Sequence, residues 1–346
     1  MNLFPLARPF MGLMNPETAH RYTIRALKLG LAPAAGPDPA VLGIDLFGLH
    51  FPNPVGIAAG FDKNAEVPDA MLRLGMGFAE IGTVTPRPQA GNPRPRIFRL
   101  AHERAVINRL GFNNEGHEAA KRRLMARRGR SGIVGVNIGA NKDSEDRIAD
   151  YEAGIRTFEG LASYFTVNIS SPNTPGLRAL QNKAELEALI TRVLAARAGK
   201  TPVLLKIAPD LTDEELQDIA DVALEKKLDG LIVSNTTIAR EGLVHGRHAD
   251  ETGGLSGQPL FGLSTAILRQ MYKLTGGQIP LVGVGGVGSG ADAYAKIRAG
   301  ASLVQLYTAL TYEGPGLVSS IKRDLAAMLQ ADGFTRLEQA VGQDTE

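Results

Sequence analysis

The chain has 346 residues, of which 44% are hydrophobic, 21% charged and 5% aromatic, with a formal net charge of +2. This is the composition of a globular chain long enough for two domains or one large barrel, and it excludes a disordered polymer. The absence of cysteine excludes a disulfide framework, thiolate metal ligation and a cysteine nucleophile, while the balanced charge and lack of Trp give no footing for nucleic acid.

The first segment, MNLFPLARPFMGLM, crowds Leu3, Phe4, Leu6, Phe10, Met11, Leu13 and Met14 together without the continuous apolar core of a signal peptide. No apolar run reaches the roughly 18 residues of a spanning helix. Residues 1–35 carry Arg8, Arg21, Arg25 and Lys28 against one acid, Glu17. Two readings stand: a terminal helix packed on the main domain, or a monotopic element whose apolar face enters a lipid interface with its cations near anionic headgroups. Asn15-Pro16-Glu17 opens an amphipathic helix that Gly30 ends. LAPAAGPDPA (31–40) is a linker, so the expected division is a helical element with its linker over 1–40 and a main domain over 41–346. VLGIDLFGLHF (41–51) predicts a hairpin turning near Phe47-Gly48.

A rhythm follows. PVGIAAG (54–60), FAEIGTV (78–84), GIVGVNIG (132–139), YFTVNIS (164–170), PVLLKIA (202–208), GLIVSN (230–235), PLVGVGG (280–286) and LVQLYT (303–308) are short apolar runs with helical patterns between them. Such runs read as parallel strands covered on both faces, and eight of them predict an α/β fold, a (β/α)8 TIM barrel with a small N-terminal helical extension. Long excursions follow the second run (85–131) and the sixth (236–265), and RIFRL with AVINR predicts an extra hairpin in the first. The basic run KRRLMARRGR (121–130) reads as a solvated helix face, with phosphate binding as the lesser alternative.

Barrel sites lie at the carboxyl ends of the strands. Those ends carry Asp62-Lys63-Asn64, Thr83, Asn137, Asn168, Ser170 to Thr174, Lys206, Ser234-Asn235-Thr236, Gly285-Gly286 and Tyr307-Thr308. The set is rich in Asn, Ser and Thr, and its one carboxylate is Asp62, so neither a metal site nor a glycosidase carboxylate pair is expected. Asn both donates and accepts, which suits a planar imide or a flavin edge. GVGGVGSG (283–290) before a helix, with Thr308 and a close-approach glycine from GGLSG (253–257), suits a phosphate. Lys206 within an apolar strand either pairs with a carboxylate or faces a ligand.

Taken together, AAGFDKN (58–64), INRLGFNN (107–114), GVNIG (135–139), VNISSPNTPGLR (167–178), LLKIAPD (204–210), SNTT (234–237), GGLSG (253–257), GVGG (283–286) and QLYT (305–308) resemble the dihydroorotate dehydrogenase family. PETAHRYTIRALK resembles the helical element of its membrane-associated, quinone-reducing class 2, and the missing Cys separates the chain from class 1, whose base is a cysteine. The resemblance implies FMN, one per chain, oxidation of (S)-dihydroorotate to orotate in pyrimidine biosynthesis, and Ser171 as the base that removes the C5 proton. It implies substrate binding by Lys63, Asn108, Arg109, Leu110, Gly111, Phe112, Asn168, Asn173, Asn235 and Thr236. FMN would meet Ala59, Gly60, Phe61, Asp62, Lys63, Thr83, Asn137, Asn168, Lys206, Ser234, Gly257, Gly286, Tyr307 and Thr308; Ser234 stands where the family pattern has Thr. His20, Arg99 and Tyr307 would line a quinone path. The expected setting is peripheral, on the lipid surface at the cytoplasmic side of a bacterial inner membrane, as a monomer without an obligate protein partner. A soluble flavin barrel using fumarate or NAD, and a barrel that holds phosphate ligands without catalysis, are the rival readings.

Overall fold

The computed structural model describes residues 12–31, 33–241, 243 and 248–345. Leu3, Phe4, Leu6, Arg8, Phe10 and Met11 of the crowded N-terminal segment lie outside them. Eight strands close a parallel barrel: β3 (Val55–Asp62), β4 (Phe78–Val84), β7 (Ile133–Ile138), β8 (Tyr164–Asn168), β9 (Val203–Ile207), β10 (Gly230–Val233), β12 (Leu281–Val284) and β13 (Ala301–Leu306). They follow one another around the ring in chain order, and β13 pairs with β3 to close it. Each coincides with one of the apolar runs, because a strand covered by helices on one side and core on the other has no polar face to show.

The hairpin over 41–51 forms from β1 (Ile44–Leu46) and β2 (Leu49–Phe51). Phe47 and Gly48 both take positive φ, 57° and 74°, as a two-residue hairpin turn requires. Phe51 meets Phe78 edge-on at 5.4 Å, and Phe78 meets Tyr164 at 6.3 Å. Phe78 opens β4 and Tyr164 opens β8, so the hairpin covers the amino-terminal mouth and leaves the opposite mouth for ligands.

That opposite mouth is built over by the two long excursions. β5 (Ile97–Leu100) and β6 (Ala105–Asn108) form the expected hairpin, and β11 (Gly254–Gly257) from the second excursion adds to β6 antiparallel. Phe98, Leu100, Ala105, Ile107 and Leu255 make a small core of their own beneath this sheet.

Helix α1 (Pro16–Lys28) starts where the sequence places it: Asn15 Oδ1 accepts from the amides of Glu17 and Thr18. Its Glu17 holds it to the barrel, accepting from Arg94 Nη2 at 2.8 Å and from buried Arg96 Nη2 at 2.7 Å. Lys28 pairs with Glu66 at its far end. Of the basic run, Arg127 and Arg130 pair with Asp69 and dock the end of α3 (Gly116–Ala126) to its neighbour, while Arg123 pairs with Glu115 at the start of α3 itself.

Candidate active site

A cavity of about 1550 Å³ opens at the carboxyl ends of the barrel strands. A pocket for one small ligand usually spans roughly 300–1,000 Å³, so there is space here for more than one. The cavity has three parts.

Its floor is a polar network. Thr83 Oγ1 donates to Asn137 Oδ1 at 2.6 Å, and Asn168 Nδ2 donates to Thr83 Oγ1 at 2.9 Å. Ser170 Oγ donates to Asn168 Oδ1 at 3.0 Å, and Asn235 Nδ2 to Ser170 Oγ at 2.9 Å. Tyr151 Oη donates to the Asn168 carbonyl at 2.7 Å and holds the end of β8. Each amide is thereby oriented before any ligand arrives. Ser171, on the loop after β8, is buried and on the cavity wall; its Oγ accepts the Asn173 amide at 3.3 Å, and Asn173 Nδ2 reaches Asn108 Oδ1 at 3.5 Å. Two lysines face the floor. Lys63 Nζ donates to the Gly60 carbonyl at 2.6 Å, and burial pulls its pKa down to about 8. Lys206 is buried, and among the described residues no carboxylate forms an ion pair with it. Burial lowers its pKa as well.

The second part is a glycine edge. Gly286 has φ of 75°, and a Cβ there would lie 2.6 Å from Phe261 Cα and 2.7 Å from Phe261 N, where α7 (Phe261–Leu274) begins. Gly257 has φ of 101°, and its Cβ would lie 2.7 Å from Ala105 Cα. These positions admit only bare backbone, whose N–H groups suit an anion. Thr308 Oγ1 stands 2.8 Å from Ser256 Oγ beside them.

The third part is an apolar arm beneath α1, walled by Ala19, Ala26, Leu27, Met71, Leu74 and Leu310. His20 meets Phe61 edge-on at 5.3 Å, and Phe61 meets Tyr307 at 5.5 Å. Burial pushes the imidazole pKa down to about 3, so His20 is a neutral wall; burial pushes the Tyr307 phenol up to about 12. Arg99 lines the arm and donates from Nη1 to the Met14 carbonyl at 2.9 Å, tying the segment before α1 to β5.

The polar groups left open on this wall fit a flavin. Buried Gln305 lines the cavity and its Oε1 has no hydrogen-bond partner among the described residues, the Lys206 ammonium faces inward, and the glycine edge offers amides for a phosphate. The profile of the dihydroorotate dehydrogenase family matches residues 41–329.

The chain belongs to the dihydroorotate dehydrogenase family.

It is an oxidoreductase of pyrimidine biosynthesis that oxidises dihydroorotate, and the family is flavin-dependent. The dihydroorotate dehydrogenase (quinone) of Parvibaculum lavamentivorans is 77% identical over 345 residues, covering 99% of both chains. That of Brucella anthropi is 59% identical over 348 residues, covering 99% of this chain and 96% of the other. The Eimeria tenella enzyme solved with ferulenol superposes with a TM-score of 0.92 at 43% identity, covering 95% of this chain and 96% of that one.

In this chain the cavity wall gathers Ala59, Gly60, Phe61, Lys63, Thr83, Asn168 and Lys206 with Ser234, Gly257, Gly286, Tyr307 and Thr308. It also gathers Asn108, Leu110, Gly111, Phe112, Ser171, Asn173, Asn235 and Thr236, and further out His20 and Arg99. Three residues of the sequence set lie off the wall. Asp62 accepts from the amides of Glu66 (2.8 Å) and Val67 (2.7 Å) and shapes the turn after β3. Asn137 sits one layer below, fully buried. Arg109 points the other way from Asn108, pairs with Glu251 at 2.7 Å and covers the Phe98 ring at 4.5 Å. Strand-end position marks neither Gln305 nor the wholly buried Glu80. The signal for Glu80 was the one that marked Lys206, a charge inside an apolar strand.

Proposed function

We propose that the chain transfers reducing equivalents from (S)-dihydroorotate to a membrane quinone through one FMN, with Ser171 as the base for the substrate's C5 proton. Lys63 supplies a cation for the substrate carboxylate, and the amides of Asn108, Asn173 and Asn235 match the alternating donors and acceptors of its imide. A bound FMN supplies the hydride acceptor and the electron store. Its phosphate suits the amides around Gly286 and Gly257, its ring edge the open groups of Gln305 and Lys206.

Ser171 Oγ takes the C5 proton as its own hydroxyl proton passes to water in the cavity, and the Asn173 amide that donates to this oxygen steadies its alkoxide character during the exchange. The polar floor and the apolar arm meet at Tyr307, which gives one site two unlike approaches. Around the arm Leu13, Leu31 and Tyr22 are exposed by 90%, 73% and 53%, which supports peripheral seating on a lipid surface. Among the described residues no helix is long and apolar enough to cross a membrane. We place the chain as a monomer on the cytoplasmic face of a bacterial inner membrane.

The joining of this polar floor to an apolar arm in one cavity is the observation that carries the reading. An anaerobic visible spectrum tests it. Dihydroorotate should bleach a flavin band and a short-chain quinone should restore it. Bleaching without restoration by quinone would overturn the acceptor, and a protein that takes up no flavin would overturn the whole reading.

A further inference from the structure

Glu80 lies mid-strand in β4 and is fully buried inside the barrel. Four donors converge on its carboxylate. Asn137 Nδ2 donates to Oε1 at 2.8 Å. Tyr164 Oη (3.0 Å), Thr166 Oγ1 (3.1 Å) and Gln305 Nε2 (2.8 Å) donate to Oε2. They come from β7, β8 and β13, so the carboxylate ties four strands together across the barrel interior. Two amides and two hydroxyls can all donate to it at once, the shell that a charged carboxylate takes.

The contacts reach the cavity in two directions. Because Asn137 gives its Nδ2 to Glu80, its Oδ1 faces Thr83 and Asn168, the floor residues. Because Gln305 gives its Nε2 to Glu80, its Oε1 is left as the open acceptor on the wall. Over the eight barrel strands the ionisable side chains are Asp62, Glu80, Tyr164 and Lys206. Asp62 is committed to backbone amides at the rim, and the Tyr164 phenol, buried against Glu80, is held neutral with its pKa well above 10. One acid and one base remain.

We propose that Glu80 is a positioning residue of the flavin site: its charged carboxylate orients Asn137 and Gln305 and is the counter-ion that keeps Lys206 protonated. A lone buried charge is costly, so each member of the pair holds the other ionised across the interior. Lys206 is drawn towards protonation by the Glu80 charge while burial works against it. The inference rests on the flavin reading for what the oriented groups face, but the charge coupling belongs to the barrel itself.

Two variants test it. Glu80→Gln keeps the shape but offers one acceptor where four donors converge, and it removes the counter-charge. In the flavin-loaded protein the oxidised flavin spectrum should then show a one-proton transition, below the ordinary lysine range, that the wild type lacks. The double variant Glu80→Gln/Lys206→Met should be flat again. A folded Glu80→Gln protein with a flat profile, or a transition that survives in the double variant, overturns the proposal. The converse arm needs no flavin. If the two charges are coupled, Glu80→Gln and Lys206→Met together should lower the melting temperature by less than the sum of their separate losses. Additive losses would sink the counter-ion role whether or not flavin is present, whereas absence of flavin from the wild type touches only the proposed function.

Discussion

Lys296 Nζ donates to Ser264 Oγ at 2.6 Å, and both side chains are fully buried directly behind the glycine edge. The Ser264 hydroxyl lies 3.1 Å from the Gly285 carbonyl, and the ammonium also sits 5.2 Å over the Phe261 ring. Among the described residues this ammonium has no carboxylate in ion-pair range, and burial holds its pKa down to about 7. Between about pH 7 and 10 the unfolded chain holds the proton and the native chain does not, so this group makes the native state more stable as pH rises through that window. Below it the native ammonium is charged and needs the hydroxyl. Ser264→Ala should therefore cost on the order of 1–3 kcal/mol at pH 6 and clearly less at pH 9. Urea unfolding at the two pH values checks this, and equal losses would refute it.

Gly286→Ala should cost flavin as well as stability. The new methyl would press on the Phe261 backbone at 2.6–2.7 Å, where α7 starts, and φ of 75° strains any side chain. Overpacking of this kind costs roughly 1–3 kcal/mol. The purified variant should hold less flavin per chain than wild type, read from the ratio of visible to ultraviolet absorbance. Full flavin content at unchanged melting temperature would contradict the close approach assigned to this glycine.

The barrel was legible because its strands are buried on both faces and read as unbroken apolar runs, each ending in the polar residues that form the floor. The partner of the AVINR strand was not. Gly254 pairs with Asn108 from a different excursion, and no local pattern announces such a pairing. INRLGFNN was read as one block, yet alternation sends Asn108 to the cavity and Arg109 to Glu251. Asp62 carried the look of a ligand contact because it ends a strand, but three amides of the following turn surround its carboxylate. Glu80 lies mid-strand, away from the strand ends where barrel sites lie, and its partners on β7, β8 and β13 come together only when the barrel closes.

Ser171→Ala should leave flavin binding intact, since among the described residues Ser171 Oγ receives only the Asn173 amide. Loss of the base should slow anaerobic flavin reduction by dihydroorotate by about 10²–10⁴-fold at neutral pH. Rapid-mixing spectroscopy of the reductive half-reaction reads this directly. Reduction within a few-fold of wild type would remove Ser171 from the role of base.

The apolar arm should govern only the second half of turnover. The His20 ring lies 5.3 Å from Phe61 and 6.3 Å from Tyr307 between centroids, within the apolar arm. Truncating His20→Ala opens the arm and removes an aromatic contact of roughly 1 kcal/mol, so the KM for a short-chain quinone should rise by about fivefold or more. Reduction by dihydroorotate should be unchanged. Because burial keeps the imidazole neutral down to about pH 3, quinone turnover between about pH 5 and 8 should carry no inflection from His20. Deleting residues 1–35 removes α1 entirely and should deepen the same split, sparing the reductive half-reaction while lowering quinone turnover. Steady-state kinetics with both substrates varied, beside anaerobic reduction traces, separate the two halves. If quinone kinetics stay unchanged in the truncated chain, electrons leave by another route than the space beneath α1.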